Sequence, residues 1–375
     1  MLVAVLLLML AAETDARPNK TDTIRNDLFE LDLQEGTVRV LIASERAPHR
    51  ALYRPQYSGD DRRVVATSFG GSYEEARTVV VDRPSGSVAD LTTGARAVWL
   101  PQPNRILVQR HQAPAAVARI SPSGRPTLIR SGGHELIVVD EVHVAPILSF
   151  DGRWMTIELL MQDMGLSREG RLSDEASSLV MMSAYPDGDR ARLTLEGNRR
   201  GRVAFASPLA GEFGTPQATI VVMKSLTPHD PPTRTVNGVL QPTPDPPPPD
   251  STADIVAIDA IRPGEQVQGR SGREWETQTR ELLPHQTDGT MFTSIGAAQY
   301  LPRVVVSLVR PDGRHAIATL DQDRPGEMIV ELVGPEGVTV DDVAMSRDGR
   351  YVAFTSDLRH GGQPRDVGAF VVGPE

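Results

Sequence analysis

The densest group of residues able to bind a metal or move a proton is His134-Glu135 followed by Asp140-Glu141-Val142-His143. Strict alternation along an extended strand places Glu141 and His143 on one side, where they can share a divalent ion or act as base and acid on one substrate. Their spacing matches no defined ligand set, and a solvated connection between structural units accounts for the same residues. No cofactor is therefore expected, with a divalent metal as the alternative. A second constellation is His49, His143 and Asp341, each placed shortly before an apolar run. If those three positions converge, they line the mouth of a cavity and bind a ligand; scattered polar loop residues are the competing reading.

Other chemistries are excluded by residue type. The chain has no cysteine, which removes disulfides, thiolate nucleophiles and Cys-ligated zinc or iron–sulfur centres. It contains no Gly-x-Ser-x-Gly elbow, His-Glu-x-x-His pair, P-loop or dinucleotide fingerprint. Asp321-Gln322-Asp323 lacks the remainder of a calcium loop and reads as a solvated turn. A formal charge of −10, with no face-forming run of Lys and Arg to compensate for it, argues against nucleic acid as a partner.

The elements that would position such groups are strands. With 32 glycines and 30 prolines in 375 residues, the composition favours a turn-dense all-β protein. Val343 to Asp357 shows the recurring unit: two alternating apolar runs meet at Asp348-Gly349, the pattern of a tight hairpin. Asp60, Asp151-Gly152 and Asp312-Gly313 stand in similar surroundings. Aspartate accepts backbone N–H bonds within the turn and glycine supplies the left-handed conformation, so these acids are structural. Between matching arginines the spacings are 43 (Arg62 to Arg105), 48 (to Arg153), 49 (to Arg202) and 36 (Arg314 to Arg350). Four strands per unit at that period is the signature of a β-propeller, here with six or seven four-stranded antiparallel blades. The N-terminal hairpin, Asn26 to Ile42, is expected to complete the C-terminal blade, because closure removes two exposed edges. Residues 228–249 hold nine prolines and read as a polyproline loop inserted at 227–253. Arg273 to Leu283 reads as a short helix capped by Ser271, and Val367 to Val372 as a last strand.

Ser149-Phe150-Asp151-Gly152-Arg153, Arg310-Pro311-Asp312-Gly313-Arg314 and, above all, Ser346-Arg347-Asp348-Gly349-Arg350-Tyr351-Val352-Ala353-Phe354 resemble the WD40-like repeat of TolB-type propellers. The resemblance extends over about residues 25–375, most weakly between Arg202 and Arg314. It implies a propeller ring and carries no activity with it, since that fold hosts scaffolds and enzymes alike.

Leu2 to Ala12 is an unbroken apolar run of signal-peptide length, too short to span a bilayer, and Thr14-Asp15-Ala16 offers small residues for cleavage after Ala16. No basic residue precedes the run. The expectation is a signal peptide over 1–16 and one propeller domain over 22–375, with no transmembrane span in the mature chain. The function this favours is an exported, non-enzymatic scaffold that binds a protein or envelope component on a rim. The alternative is a propeller enzyme of the sugar lyase, hydrolase or lactonase type, with a metal or polar site in its central channel.

Overall fold

The computed structural model describes residues 25–70, 75–99, 104–110, 127–131, 133–140, 144–148, 154–159, 178–183, 190–194, 202–206, 218–225, 233–236, 239–242, 253–261, 276–284, 286–360 and 365–373. Most of them form strands, many rich in β-branched residues. β1 (Asp27–Asp32) and β2 (Thr37–Ile42) form an N-terminal hairpin. The first sheet is the meander β3 (Ala51–Tyr57), β4 (Arg63–Phe69), β5 (Arg77–Asp82) and β6 (Val88–Thr93). The second contains β7 (Ala95–Trp99), β8 (Arg105–Arg110), β9 (Thr127–Ser131) and β10 (His134–Asp140), in the order β7-β8-β10-β9 with β8 and β10 parallel. The third is β11 (Val144–Leu148), β12 (Trp154–Leu159), β13 (Ser178–Ser183) and β14 (Arg190–Thr194).

In the fourth sheet β15 (Arg202–Ala206) and β16 (Ala218–Ser225) are followed by a separate hairpin, β17 (Thr233–Val236) and β18 (Val239–Pro242), before β19 (Ala253–Ile261) and β20 (Glu276–Leu283) complete the four. The fifth is β21 (Met291–Ala297), β22 (Arg303–Val309), β23 (His315–Asp321) and β24 (Met328–Val333). β25 (Val340–Met345) and β26 (Tyr351–Ser356) open the sixth, and β1 and β2 finish it, with β1 antiparallel to β26 from Asp27↔Ser356 to Asp32↔Tyr351. The expected closure of the last unit by the first hairpin is thus a six-residue ladder.

The first strands make contact in a closed circuit: β25 with β3, β3 with β7, β7 with β11, β11 with β15, β15 with β21, and β21 with β25. This all-β arrangement is propeller-like. Its core lies between sheets. Leu28, Ile42 and Ala353 of the sixth sheet pack on Leu52, Val64 and Val79 of the first, and Val65 and Val80 pack on Trp99, Ile106 and Val108 of the second. Between the fifth and sixth sheets, Val305, Ile317 and Leu332 meet Phe29, Val343 and Phe354. Each fully buried side chain of this size contributes about 1.5–3 kcal/mol.

Four expectations need correction. The helix expected over Arg273 to Leu283 gives way to β20 from Glu276 on, where Thr277 and Thr279 alternate with longer polar residues beside β19, and residues 273–275 lie outside the described residues. Val367–Ala369 forms a 3-10 turn, and only Val371–Val372, here β27, pairs as a strand, so the run is broken at Gly368. The proline-rich stretch carries β17 and β18, which flank Asn237-Gly238, a strong hairpin signal. Asp312-Gly313 joins β22 to β23, the second and third strands of its sheet, whereas Asp348-Gly349 joins the first and second of its own. An Asp-Gly turn reports a local conformation and does not fix a position in the blade; Arg314, and likewise Arg202 at the start of β15, are therefore out of register with Arg350. Residues 1–16, Glu141, His143, Asp151 and Gly152 lie outside the described residues.

Candidate functional site

A turn that repeats must first hold itself together. In Ser346–Arg350 the Asp348 carboxylate accepts the Ser346 hydroxyl (2.6 Å) and the Arg350 N–H (3.0 Å), while Ser346 Oγ accepts the Tyr351 N–H (2.8 Å). The same set recurs at Ser58-Gly59-Asp60-Asp61-Arg62-Arg63: Asp60 accepts Ser58 Oγ (2.6 Å) and Arg62 N–H (3.2 Å), and Ser58 Oγ accepts Arg63 N–H (3.0 Å). Gly349 has φ of +71°, and Asp61 fills the equivalent position at +55°. An aspartate tolerates that conformation when its side chain is engaged. Here the Asp61 carboxylate accepts the N–H groups of Arg347 (2.8 Å) and Asp348 (3.3 Å) in the neighbouring sheet, although burial pushes its pKa up.

These turns are therefore stitched to one another. The N–H groups of Gln299 and Tyr300, in the β21–β22 turn, donate to the Arg347 carbonyl at 3.0 and 2.9 Å. The Arg347 guanidinium reaches the Gly59 carbonyl (2.5 Å) and lies over the Tyr300 ring at 5.5 Å. Farther round, Arg63 bonds the Asn104 side chain in the β7–β8 turn. Four neighbouring sheets thus share a continuous rim of first-to-second-strand turns. Tyr300 is 64% exposed on it and Leu301 42%.

Charged ties reinforce the rim from behind. Glu30 of β1 is buried and accepts Arg39 (2.5 Å), Arg83 (2.5 Å) and the Tyr57 hydroxyl (3.1 Å), the last two from the first sheet. The Arg83 guanidinium also lies 4.0 Å from the Tyr351 ring centroid. Burial, then the Glu30 charge, hold the Tyr57 phenol well above its ordinary pKa. Arg350 grips Asp32 through Nε and a terminal nitrogen (2.6 Å) and also bonds Glu35 (2.9 Å), pinning the β1–β2 turn to the β25–β26 turn. That hydrogen bond lowers the pKa of Asp32.

The opposite face carries His49 and Asp341. His49 lies just before β3; its Nε2 bonds the Glu75 carbonyl (2.7 Å), and its backbone exchanges hydrogen bonds with Ser68 Oγ at 2.9 and 3.0 Å. The ring sits so close to Gly70 that a Cβ there would lie 2.8 Å from Nδ1. Asp341, at the start of β25, accepts Ser307 Oγ–H (3.1 Å). Ser307 in turn contacts Thr293 Oγ1 (2.6 Å) and Ser294 Oγ (2.5 Å), and Ser294 Oγ accepts the Val343 N–H (3.0 Å). With Ser307 donating to Asp341 and accepting from both hydroxyls, its one donor and two acceptor positions are filled. His49 is thus engaged in the first sheet, and Asp341 across the boundary between the fifth and sixth.

One constellation here was not legible in the sequence. Ser44, His360 and Asp27 have the residue types of a hydrolytic triad, and all three are buried or nearly so. A triad needs both ring nitrogens, one toward the serine and one toward the acid. Here Nε2 alone meets both, Ser44 Oγ at 3.0 Å and Asp27 Oδ1 at 2.9 Å. With its proton directed at the carboxylate, that nitrogen has no lone pair to activate Ser44. Asp27 also accepts Ser44 N–H (2.7 Å) and Arg359 (3.0 Å), which makes the group a clasp between the entry to β1 and the exit from β26.

His134, expected in a polar loop, begins β10 with only 6% exposure, its ring edge-on to Trp99 at 5.5 Å. Its Nδ1 has no hydrogen-bond partner among the described residues. Among the described residues, no group of three or more His, Asp or Glu is placed to hold a metal ion, and no helix is long and apolar enough to cross a membrane.

No protein-family model and no curated protein matches the sequence. Solved structures do. A TolB-type protein of Agrobacterium tumefaciens is similar over 88% of this chain and 97% of its own, at 12% identity and a TM-score of 0.49. TolB of Acinetobacter baumannii is similar over 92% and 67%, at 9% identity and 0.34. Oligogalacturonate lyase of Vibrio parahaemolyticus is similar over 87% and 76%, at 10% identity and 0.38. At these identities and scores the likeness carries no activity across, and the fold rests on the sheets and their circuit.

Proposed function

We propose that this chain is a six-bladed, TolB-like β-propeller, exported and non-enzymatic, that holds a partner protein or envelope component on the rim of its first-to-second-strand turns. The observation that carries the reading is the pairing of exposure with rigidity at Tyr300 and Leu301. Both are large and exposed, yet the turn beneath them is fixed by two hydrogen bonds to the Arg347 carbonyl. A tyrosine held in place loses little entropy on binding, and it is among the residues that dominate interface energetics.

Six blades is supported by the six sheets of four or more strands and the closed circuit of their first strands. Export is supported by the apolar run Leu2 to Ala12. A scaffold role fits the use made of the polar side chains: Glu30, Asp27, Asp61 and Arg350 bind strands and sheets to one another.

Affinity capture from an envelope fraction tests the reading. The full chain is expected to recover one reproducible partner, and the Tyr300→Ala, Leu301→Ala double variant to lose it at an unchanged Tm. No partner, or equal recovery by both, contradicts the rim. Intact-mass measurement of the chain from the periplasmic fraction tests export, with cleavage after Ala16 as the expected result and a retained residues 1–16 segment as the opposing one.

A further inference from the structure

Edge strands are normally blunted or covered, because their open N–H and C=O groups pair with any extended chain that fits. β24, the outer strand of the fifth sheet, reads Met-Ile-Val-Glu-Leu-Val, with no lysine or proline to discourage pairing. Its edge is covered only in part. The chain's own tail returns after the sixth sheet and seats β27 antiparallel on it, Val371 opposite Val333 and Val372 opposite Leu332, with one more bond from Gly373 N–H to the Glu331 carbonyl at 3.0 Å. Among the described residues the ladder ends there. Gly373 has φ of +114°, outside the extended range of a strand.

Met328, Ile329 and Val330 lie beyond the paired residues of β27. Ile329 is 46% exposed, and Val371 at the seated end 51%; Tyr300 and Leu301 are the other exposed large hydrophobics among the described residues. The tail itself is anchored independently of this ladder. Phe370 packs edge-on against both Phe29 and Phe354, at 5.7 and 5.6 Å, so the two paired residues of β27 can leave the edge without freeing the strap.

We infer that the β24 edge is a strand-addition site for an extended, alternately apolar segment of a partner protein, of which the chain's own Val371–Val372 is a short placeholder. The register follows from the tail: the partner strand runs antiparallel to β24, takes over the places of Val371 and Val372, and continues past Glu331 to cover Ile329. Main-chain hydrogen bonds supply affinity in such additions and alternate side chains supply specificity. The inference rests on the scaffold reading and adds to it a second surface, on the outer edge of the ring and apart from the Tyr300 rim.

The probe is a fluorescein-labelled synthetic peptide, Phe-Val-Val-Lys-Val-Thr-Val, in which residues that favour extension replace the Gly-Pro pair of the native tail. Its control is Phe-Val-Val-Gly-Pro-Glu, the native sequence. Titrated against the full chain and followed by anisotropy, the first peptide is expected to bind at least about tenfold more tightly than the second. It should also slow amide exchange within Met328–Glu331. Ile329→Lys places a charge on the edge at a partly exposed position, so it should weaken the peptide about tenfold while leaving Tm unchanged. Equal affinity of the two peptides, binding without protection of 328–331, or no binding up to the solubility limit would overturn the proposal. The Tyr300→Ala, Leu301→Ala variant should bind the peptide normally, so failure of the rim reading and failure of this one give different results.

Discussion

Replacing Glu30 with alanine tests whether charges hold the sheets together. Its carboxylate is 2% exposed and receives Arg83, itself 10% exposed, together with the Tyr57 hydroxyl from the adjoining sheet. Removing the acid takes the carboxylate from a phenol and from a guanidinium that keeps its bond to the Asp61 carbonyl, both between two sheets. Breaking a buried pair on one side costs about 3–5 kcal/mol. Arg39 binds the same carboxylate but is 53% exposed, so solvent screening limits Arg39→Ala to about 0–1 kcal/mol. Replacing both buried partners, Glu30→Met with Arg83→Met, should recover most of the loss, since apolar residues of like volume often substitute for a buried pair without penalty. Urea denaturation followed by tryptophan fluorescence measures all three. The reasoning is refuted if Glu30→Ala costs no more than Arg39→Ala, or if the double variant is less stable than Glu30→Ala alone.

Further outcomes follow from single contacts. Phe370→Ala removes the ring that wedges against Phe29 and Phe354 and should lower stability by about 3–5 kcal/mol in the same denaturation assay. Asp348→Ala deletes the acceptor of Ser346 Oγ and Arg350 N–H in an exposed turn; a loss of about 1 kcal/mol is expected, with binding of the β24 peptide intact. Arg350 depresses the pKa of Asp32. Its contribution is therefore complete above the unfolded carboxylate range, near about 3.9, and is lost as pH falls below it; Arg350→Met should flatten the acid limb of a Tm-against-pH curve. Burial, aided by the charge of Arg63, lowers the pKa of His134. The unfolded chain then binds the extra proton first, so stability should fall as pH drops below about 6.5, and His134→Phe should remove that slope.

Much of the fold was legible because its turns are built from side chains that name them. Ser58/Asp60 and Ser346/Asp348 close hairpins with the same bonds, and alternation on either side makes the strands. What the motif does not carry is its place in the blade. Asp312-Gly313 has the same appearance as Asp348-Gly349 yet joins different strands, because a turn senses only its four or five residues. The β21–β22 turn escaped notice for the converse reason. Gln299-Tyr300-Leu301-Pro302 has neither the aspartate nor the glycine, and it is held instead by Arg347, 47 positions beyond Tyr300, which no local pattern reveals. The clasp of Asp27, Ser44 and His360 is separated by 333 residues at its ends, so chain closure alone brings it together. His134 shows the opposite limit. A histidine beside a glutamate reads as a polar pair, whereas packing against Trp99 makes it part of an interior.

Site-specific photo-crosslinking reads the central claim most directly. A benzophenone amino acid placed at Tyr300, on the rim of first-to-second-strand turns, is compared with one at Asp312, which lies in a second-to-third-strand turn at the opposite ends of the strands. With the chain expressed in the envelope, position 300 should give one covalent adduct of constant mass and position 312 none. An adduct at 312 alone, or none at either position, would contradict a partner-binding rim.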